Sequence, residues 1–310
     1  MVDPTITVVI PAYNAAKYLG EALESVLTQT RRPDEIIVID DGSTDDTTQV
    51  IERFGKAVVT IRQQNAGEGA ARNAGIRAAR GDYIAFLDAD DVCAPERLDR
   101  QALALGRSSD AVACYSGHWT FSSERRLDFP AKQAEIVDSL TLLAECQFVA
   151  ASVMFRRHAA VGLLFPEERN ASAIDLIFSA VLATRGRVIA LPEMLYGYRI
   201  HPQQISIAYQ ANGKSNAFFE FRYRWAKEHW QDYWPQRGWL EVERYLWEGL
   251  VRQTEAAYWA RYKRFFLNDR DYLRRHWPPH LPKPPVLSWR WYPDWVWSAK
   301  GMVDRLIPRT

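Results

Sequence analysis

Three carboxylates lie within four residues of one another, at Asp88, Asp90 and Asp91. They follow an apolar run over residues 83–87, which is typical of a strand buried on both faces. Carboxylates this close repel one another unless solvent or a cation compensates them, and oxygen ligands suit Mg²⁺ or Mn²⁺. The stretch therefore predicts a hard-cation site at a strand end. The alternative is that Asp90 and Asp91 only cap a helix that starts near Pro95.

Polar clusters follow three other short apolar runs in the same half of the chain. The clusters span residues 11–14, 40–43 and 65–73, and the runs before them span residues 6–10, 35–39 and 57–61. Helical patterns alternate with these runs over about 115 residues, which indicates βαβ units and a doubly wound parallel sheet. Because ligands bind beyond the carboxyl ends of such strands, we expect all four clusters on one rim of the sheet.

The composition excludes several classes of protein. The chain has 310 residues and a net charge of +1, so no global field favours nucleic acid. None of its three cysteines lies in a metal-binding or paired pattern, and free thiols fit a reducing cytoplasm. No segment approaches the roughly 20 apolar residues of a membrane span. The first apolar run is interpreted as a strand, since no basic region precedes it.

The four clusters together resemble a known family. VVIPAYN, EIIVIDDGSTDDT, NAGEGAARNAG and GDYIAFLDADD, in this order and spacing, are similar to the nucleotide-sugar-binding half of inverting family 2 glycosyltransferases. The resemblance covers about residues 5–115 and continues more weakly to about residue 207. It implies a GT-A fold, an α/β architecture with a Rossmann-like, doubly wound and mostly parallel sheet. We expect a nucleotide-sugar-binding half (1–115), an acceptor-binding half (116–210) and a helical, Trp-rich extension (211–310).

The resemblance assigns residues to the nucleotide. It implies that Asp41 accepts the uracil ring N–H, with Asp40 as the alternative, that Tyr13 stacks on the base, and that Pro11 forms the pocket wall. A turn with a helix cap would explain the DDGS string without any ligand.

The ARN segment is implied to lie near the nucleotide, which involves Arg72 and Asn73. Small residues around them would let the backbone approach the ligand closely. The structural alternative is that Arg72 pairs with a strand-end aspartate.

Asp88-Ala89-Asp90 matches the DxD motif of the family. It implies that Asp90 binds Mn²⁺ or Mg²⁺ directly and that Asp88 contacts the ribose or a metal-bound water. His201, in YRIHPQQIS, resembles a histidine near the diphosphate and is expected to complete the metal shell as a neutral imidazole. The alternative for His201 is an ordinary surface residue.

The general base of the family is usually the aspartate of a Glu-Asp pair at the start of a helix. Counting back from Arg185-Gly186 places this base at Asp175, where Ile174 replaces the glutamate. Without that like-charged neighbour, the pKa of Asp175 must be tuned by other groups. The alternative is a helix N-terminal aspartate that only interacts with the helix dipole.

The extension contains eleven of the twelve tryptophans. We expect a helical subdomain that packs its own aromatics. The alternative is a peripheral anchor at the inner face of the membrane, formed near a basic tail by Trp289, Trp291, Trp295 and Trp297.

The sequence therefore predicts a cytoplasmic enzyme that moves a sugar from a UDP-sugar donor to a hydroxyl of a glycan or lipid-linked acceptor, in one metal-assisted displacement with inversion. One alternative is a sugar-nucleotide-binding module without transfer activity. The other is a phosphatase of the haloacid dehalogenase kind, which also uses a DxD string. The nucleophile of such a phosphatase follows the first strand, however, whereas Asp88 follows the fourth.

Overall fold

The computed structural model describes residues 3–122, 126–129, 139–144, 149–168, 173–204, 215–259 and 272–284. These residues form one nine-stranded sheet of order β3-β2-β1-β4-β8-β6-β9-β5, and β7 pairs with β6. The strands are β1 (Ile6–Ala12), β2 (Glu35–Asp40), β3 (Val59–Arg62), β4 (Tyr83–Phe86), β5 (Val92–Cys93), β6 (Ala111–Phe121), β7 (Arg126–Phe129), β8 (Met154–Arg156) and β9 (Arg187–Arg199). The helices are α1 (Leu19–Leu27), α2 (Thr47–Glu52), α3 (Glu68–Ala78), α4 (Arg97–Arg107), α5 (Ser139–Ala144), α6 (Ile174–Leu182), α7 (Ser215–Tyr233) and α8 (Trp239–Trp259).

The sheet is mixed but mostly parallel, as the sequence predicts. β1, β2, β3 and β4 pair in parallel, and β6 continues their direction because β8 is antiparallel to both β4 and β6. The apolar runs of β1 and β2 are buried almost throughout, since helices cover both faces of this part of the sheet. The architecture therefore is the expected α/β sheet with helical extension.

Strand β9 of the second half is longer than its sequence pattern indicates. Residues 188–191 and 195–199 are predicted as two strands, but both belong to the single strand β9. Pro192 does not end this strand, because the register against β6 skips from Leu191 to Met194. A proline is tolerated at such a bulge, where no ladder N–H is required from it.

A buried arginine fixes the end of β4. Arg97 is fully buried, and its Nη2 donates to the carbonyl oxygens of Phe86 (2.9 Å) and Ala151 (2.7 Å). Its Nε donates to Gln101, one turn along α4. These bonds satisfy a cation and two carbonyls that are otherwise costly to bury. The bond to the Phe86 carbonyl therefore fixes the backbone that leads into Asp88.

The described part of the extension packs its own aromatic residues, as the first of the two interpretations expects. The Phe219 ring lies 4.7 Å from that of Trp247, and Arg222 donates to the carbonyls of Leu143 and Ala144 at the end of α5. In the ranges that the structure describes, no helix has the length and apolar character of a membrane span. The four tryptophans of the anchor hypothesis and Cys146 lie outside these ranges.

Two helical glycines give a matched test of how closely α3 packs on the sheet. A Cβ at Gly75 of α3 would lie 2.2 Å from Cγ1 of the buried, β-branched Val9, whereas nothing lies within 4 Å of a Cβ at Gly106 of α4. We expect Gly75→Ala to lower the free energy of unfolding by about 1–3 kcal/mol through overpacking. Gly106→Ala should raise it by about 0.5–1 kcal/mol, because alanine favours the helix. Urea unfolding measures both, and equal effects would contradict the close packing of α3 on β1.

Candidate active site

The strand ends bring the four polar clusters to one rim. Ala12 and Asp40 are paired in register at the ends of β1 and β2, and the Asp41 N–H donates to the Ala12 carbonyl at 2.9 Å. β4 ends beside β1, two residues before Asp88. The arrangement follows from parallel pairing, because the carboxyl ends of parallel strands share one edge.

The residues predicted to bind the nucleotide base lie at one end of this rim. Tyr13 is 51% exposed, so its ring is open to stacking, and Pro11 is half-buried at the end of β1. Asn14, at a φ of 50°, turns the chain after β1 and accepts from the Thr44 N–H at 2.8 Å. This bond ties the Tyr13 loop to the loop after β2.

The two neighbouring aspartates differ in what they hold. Asp40 is fully buried and accepts from the Ser43 N–H (2.8 Å) and the Thr48 hydroxyl (3.0 Å). Desolvation opposes its ionisation, but these bonds and Arg62 outweigh it and lower the pKa of Asp40. It therefore acts as a cap for the following loop.

Asp41 fixes the loop that precedes α3. It is 3% exposed, and its carboxylate accepts from Gln63 Nε2 (2.7 Å) and from the N–H groups of Ala66 and Gly67 (2.9 Å each). A carboxylate has about four acceptor positions, and these bonds occupy three of them. The sequence gives no local signal for these bonds, which join residues more than twenty positions apart.

A buried guanidinium connects the DxD motif to α3. Arg72 Nη2 lies 2.7 Å from Asp88 Oδ1 and 2.8 Å from Glu68 Oε1, and its side chain is 3% exposed. Burial opposes the charge of Arg72, but Glu68 and Asp88 raise its pKa above the ordinary value. The predicted alternative, in which Arg72 pairs with a strand-end aspartate, describes this geometry. Glu68 is a site residue that the sequence argument did not single out, although its i,i+4 spacing to Arg72 is a usable signal.

Asp90 and His201 form the pair predicted to hold a metal. Asp90 Oδ2 lies 3.0 Å from His201 Nε2, and the imidazole packs against Tyr18 at a centroid distance of 4.6 Å. Desolvation and Asp88 raise the pKa of Asp90, while His201 lowers it. Nδ1 of His201 is buried and has no partner in the described chain.

This donor set fits Mn²⁺ or Mg²⁺. Carboxylate oxygens with one imidazole are suitable ligands, and Asp90 stays partly exposed to the cleft. No group of three or more histidine, cysteine or acidic side chains converges on one point in the described residues. Such ions are commonly held by one or two carboxylates together with substrate phosphates, so the incoming nucleotide would supply the remaining ligands. Ala89 is buried between the two aspartates.

Asp91 plays a structural part. It is 1% exposed and accepts from the Tyr196 hydroxyl (2.6 Å) and the Arg199 N–H (2.7 Å) of β9. Burial, Asp90 and Asp88 raise the pKa of Asp91 well above the ordinary value. Arg199 also donates from Nε to the Asp90 carbonyl at 2.7 Å. β9 thus clamps the DxD turn, a role of Tyr196 and Arg199 that the sequence pattern did not indicate.

Asp175 lies in the first turn of α6, facing the same group of charges. Burial raises the pKa of Asp175, Arg72 lowers it, and Asp88 raises it again, with a net increase. Arg72 lowers the pKa of Glu68, but desolvation and the charges of Asp88, Asp175 and Asp90 raise it overall. The side chain of Ile174 is directed at α3, since its Cδ1 would lie 3.4 Å from a Cβ at Gly69.

Asn73 holds the segment that leads towards α6. It is fully buried, its Nδ2 donates to the Phe165 carbonyl (3.0 Å) and Glu167 (2.8 Å), and its Oδ1 accepts from the Phe165 N–H (2.8 Å). These bonds leave little capacity for a nucleotide. We therefore expect Asn73 to position residues 165–167 against α3 and to affect a ligand only through them.

The curled, mostly parallel sheet with flanking helices and a DxD pair at its carboxyl edge is a GT-A fold. The profile described as Glycosyl transferase family 2 matches residues 7–159. An uncharacterised glycosyltransferase of Haemophilus influenzae is 34% identical over 177 residues, covering 54% of this chain and 68% of the relative. The chain belongs to glycosyl transferase family 2.

Other relatives match over smaller shares. EpsJ of Bacillus subtilis, an uncharacterised glycosyltransferase, is 30% identical over 66% of this chain and 63% of its own length. An uncharacterised glycosyltransferase of Nostoc is 46% identical, and the alignment spans only 34% of each protein. The chain thus covers between about a third and two thirds of these relatives.

Solved structures support the fold. S. aureus TarS 1–349 in complex with UDP-GlcNAc superposes with a TM-score of 0.63 at 23% identity, covering 81% of this chain and 73% of TarS. The mannosyltransferase PcManGT from Pyrobaculum calidifontis, in complex with GDP-Man and Mn²⁺, gives a TM-score of 0.60 at 17% identity, covering 99% and 82%.

Replacing Asn73 tests its positioning role. We expect Asn73→Ala to lower the free energy of unfolding by about 1–3 kcal/mol, because the N–H and carbonyl of Phe165 are left without partners. Asn73→Asp should cost more at neutral pH, since a carboxylate would then face the Phe165 carbonyl and Glu167. Urea unfolding gives the ranking, and variants as stable as the unmodified protein would contradict the role.

Proposed function

We propose that this protein is an inverting glycosyltransferase that uses a divalent cation and a nucleoside diphosphate sugar, most simply a UDP-sugar. The acceptor is a hydroxyl of a glycan or of a lipid-linked glycan. The observation that carries the proposal is one group of charges, in which Asp88 pairs with Arg72, Asp90 pairs with His201, and Asp175 interacts electrostatically with Arg72 and Asp88. TarS and PcManGT, which share the fold, bind UDP-GlcNAc and GDP-Man respectively.

The chain supplies three functions to this reaction. Tyr13 and Asp41 orient the base, with Pro11 as the adjoining wall. Asp90 and His201 would hold Mn²⁺ or Mg²⁺, which when bound stabilises negative charge on the departing diphosphate. Asp88, which pairs with Arg72, would contact the ribose or a metal-bound water.

Asp175 acts as the general base. The acceptor oxygen attacks the anomeric carbon and its proton passes to the Asp175 carboxylate, while the bond from the anomeric carbon to the phosphate oxygen breaks and its electrons leave with the diphosphate. One displacement of this kind inverts the anomeric centre. Burial of Asp175 supports the assignment, because a raised pKa makes the ionised carboxylate a stronger base.

The substitution Asp175→Asn tests the role of Asp175 as the general base. We expect it to retain UDP binding and to lose roughly 10²- to 10⁴-fold in turnover, because the amide cannot accept the proton. The readout is Mn²⁺-dependent hydrolysis of UDP-GlcNAc and GDP-mannose, in which water replaces the acceptor. Asp99→Asn is the control, because Asp99 is an exposed aspartate in the first turn of α4. Full turnover in Asp175→Asn would reject Asp175 as the general base.

The pH dependence follows from the same group. The base must be ionised, so activity falls as the pH drops through the pKa of Asp175, which lies above the ordinary 3.8. We expect the acid limb of kcat/KM to lie above that value and to be absent from the residual activity of Asp175→Asn.

The metal assignment has its own test. We expect Asp90→Asn to abolish the extra thermal stabilisation that Mn²⁺ gives in the presence of UDP, because ligands stabilise only the states to which they bind. Asp110→Asn is the control, since Asp110 is exposed and pairs with Arg187 at the start of β9. An unchanged Mn²⁺ effect in Asp90→Asn would place the cation elsewhere.

A further inference from the structure

Glu68 is a cleft carboxylate to which the reaction above gives no part. It lies in the first turn of α3, its side chain is 45% exposed, and its Oε1 is 2.8 Å from Arg72 Nη2. Its Oε2 makes no hydrogen bond or ion pair to the described residues. One oxygen is therefore anchored and the other is available to a ligand.

The backbone holds Glu68 in this position. The two peptide N–H groups just before it, of Ala66 and Gly67, both donate to Asp41. Gly67 has a φ of 94°, a left-handed value that favours glycine and turns the chain into α3. The loop that Asp41 fixes thus also sets the position of Glu68.

Glu68 borders the space that a transferred sugar must occupy. The anomeric carbon of the donor sugar has to lie between the diphosphate, which is expected at Asp90, and the general base Asp175. The Glu68 carboxylate interacts electrostatically with both of these aspartates, and it shares Arg72 Nη2 with Asp88, which places it beside the DxD motif. Nε of Arg72, buried and without a partner in the described chain, is a second unfilled polar atom beside it.

The chemistry of a carboxylate selects which part of the donor it binds. The Glu68 carboxylate would repel a phosphate, and the nucleotide base is expected at Tyr13 and Asp41. The sugar ring carries neutral hydroxyl donors, which a carboxylate oxygen accepts strongly.

We propose that Glu68 is a specificity-determining residue that accepts a hydrogen bond from a hydroxyl of the donor sugar, while Arg72 holds its other oxygen. The inference rests on the proposed function, because it needs a nucleoside diphosphate sugar in the cleft. It gives this chain a sugar contact from α3, at a position next to the Gly69–Ile174 packing.

The test compares binding with and without the sugar. With Mn²⁺ present, calorimetry gives the Kd of UDP and GDP, and of UDP-N-acetylglucosamine, UDP-glucose, UDP-galactose and GDP-mannose. For the tightest nucleotide sugar, we expect Glu68→Gln to raise the Kd roughly 10- to 100-fold, the range for a hydrogen bond to a charged group. The Kd of the corresponding nucleoside diphosphate should change by less than about threefold.

Glu241→Gln is the matched control. Glu241 lies in the first turn of α8, is 39% exposed and forms a close i,i+4 ion pair with Arg237. It should leave every Kd unchanged. If Glu68→Gln does not fold, Glu68→Asp replaces it, since aspartate keeps the charge near Arg72 but withdraws the carboxylate by one methylene group. We expect Glu68→Asp also to raise the Kd of the nucleotide sugar selectively, by a smaller factor.

The outcomes separate the inference from the proposed function. Equal weakening of the diphosphate and the nucleotide sugar would mean that Glu68 only supports Arg72 and Asp88, and would overturn the inference. So would unchanged binding of both, or a variant that changes only the KM of an acceptor. If the unmodified protein binds none of the nucleotides, the proposed function itself fails.

Discussion

The ion pairs of one buried guanidinium hold the active site together. Arg72 contacts Glu68 and Asp88 through the same nitrogen and offsets the burial of Asp175. Four carboxylates, those of Glu68, Asp88, Asp90 and Asp175, influence one another around this single arginine. Their mutual repulsion leaves an excess of negative charge, which a diphosphate would increase. A divalent cation would offset this charge, to which Glu68 and Asp175 contribute in addition to the DxD motif.

Local patterns predicted most of the scaffold. β-branched runs bounded by turns correctly located β1 to β4, and the alternation with helices gave the direction of the strands. The prediction was less accurate for the second half, because strand length there depends on pairing with neighbouring strands. β9 continues through Pro192 only because β6 lies beside it and accommodates a bulge. Nothing within the sequence of residues 187–199 encodes that neighbour.

The candidate site was predictable as a set of residues and less so as a set of roles. The motifs identified Asp41, Arg72 and Asn73, but the partners of Asp41 and Asn73 are far away in the sequence. Asn73 bonds Phe165, 92 residues later, and Asp91 bonds Tyr196, 105 residues later. Such contacts leave no periodic trace in one sequence, whereas the four-residue spacing of Glu68 and Arg72 does. The long-range bonds explain why several polar residues of the rim stabilise loops as well as facing the cleft.

The clamp of β9 on the DxD turn bears on how the two halves of this domain diverge. Asp90 and Asp91 come from the first half, and Arg199, which also pairs with Glu21 of α1, comes from the second. A recombination that exchanged the second half alone would have to bring a compatible arginine and tyrosine at the joining strand. The end of β9 therefore has to match the turn that carries Asp90 and Asp91. Chimeras with related enzymes are best joined beyond His201.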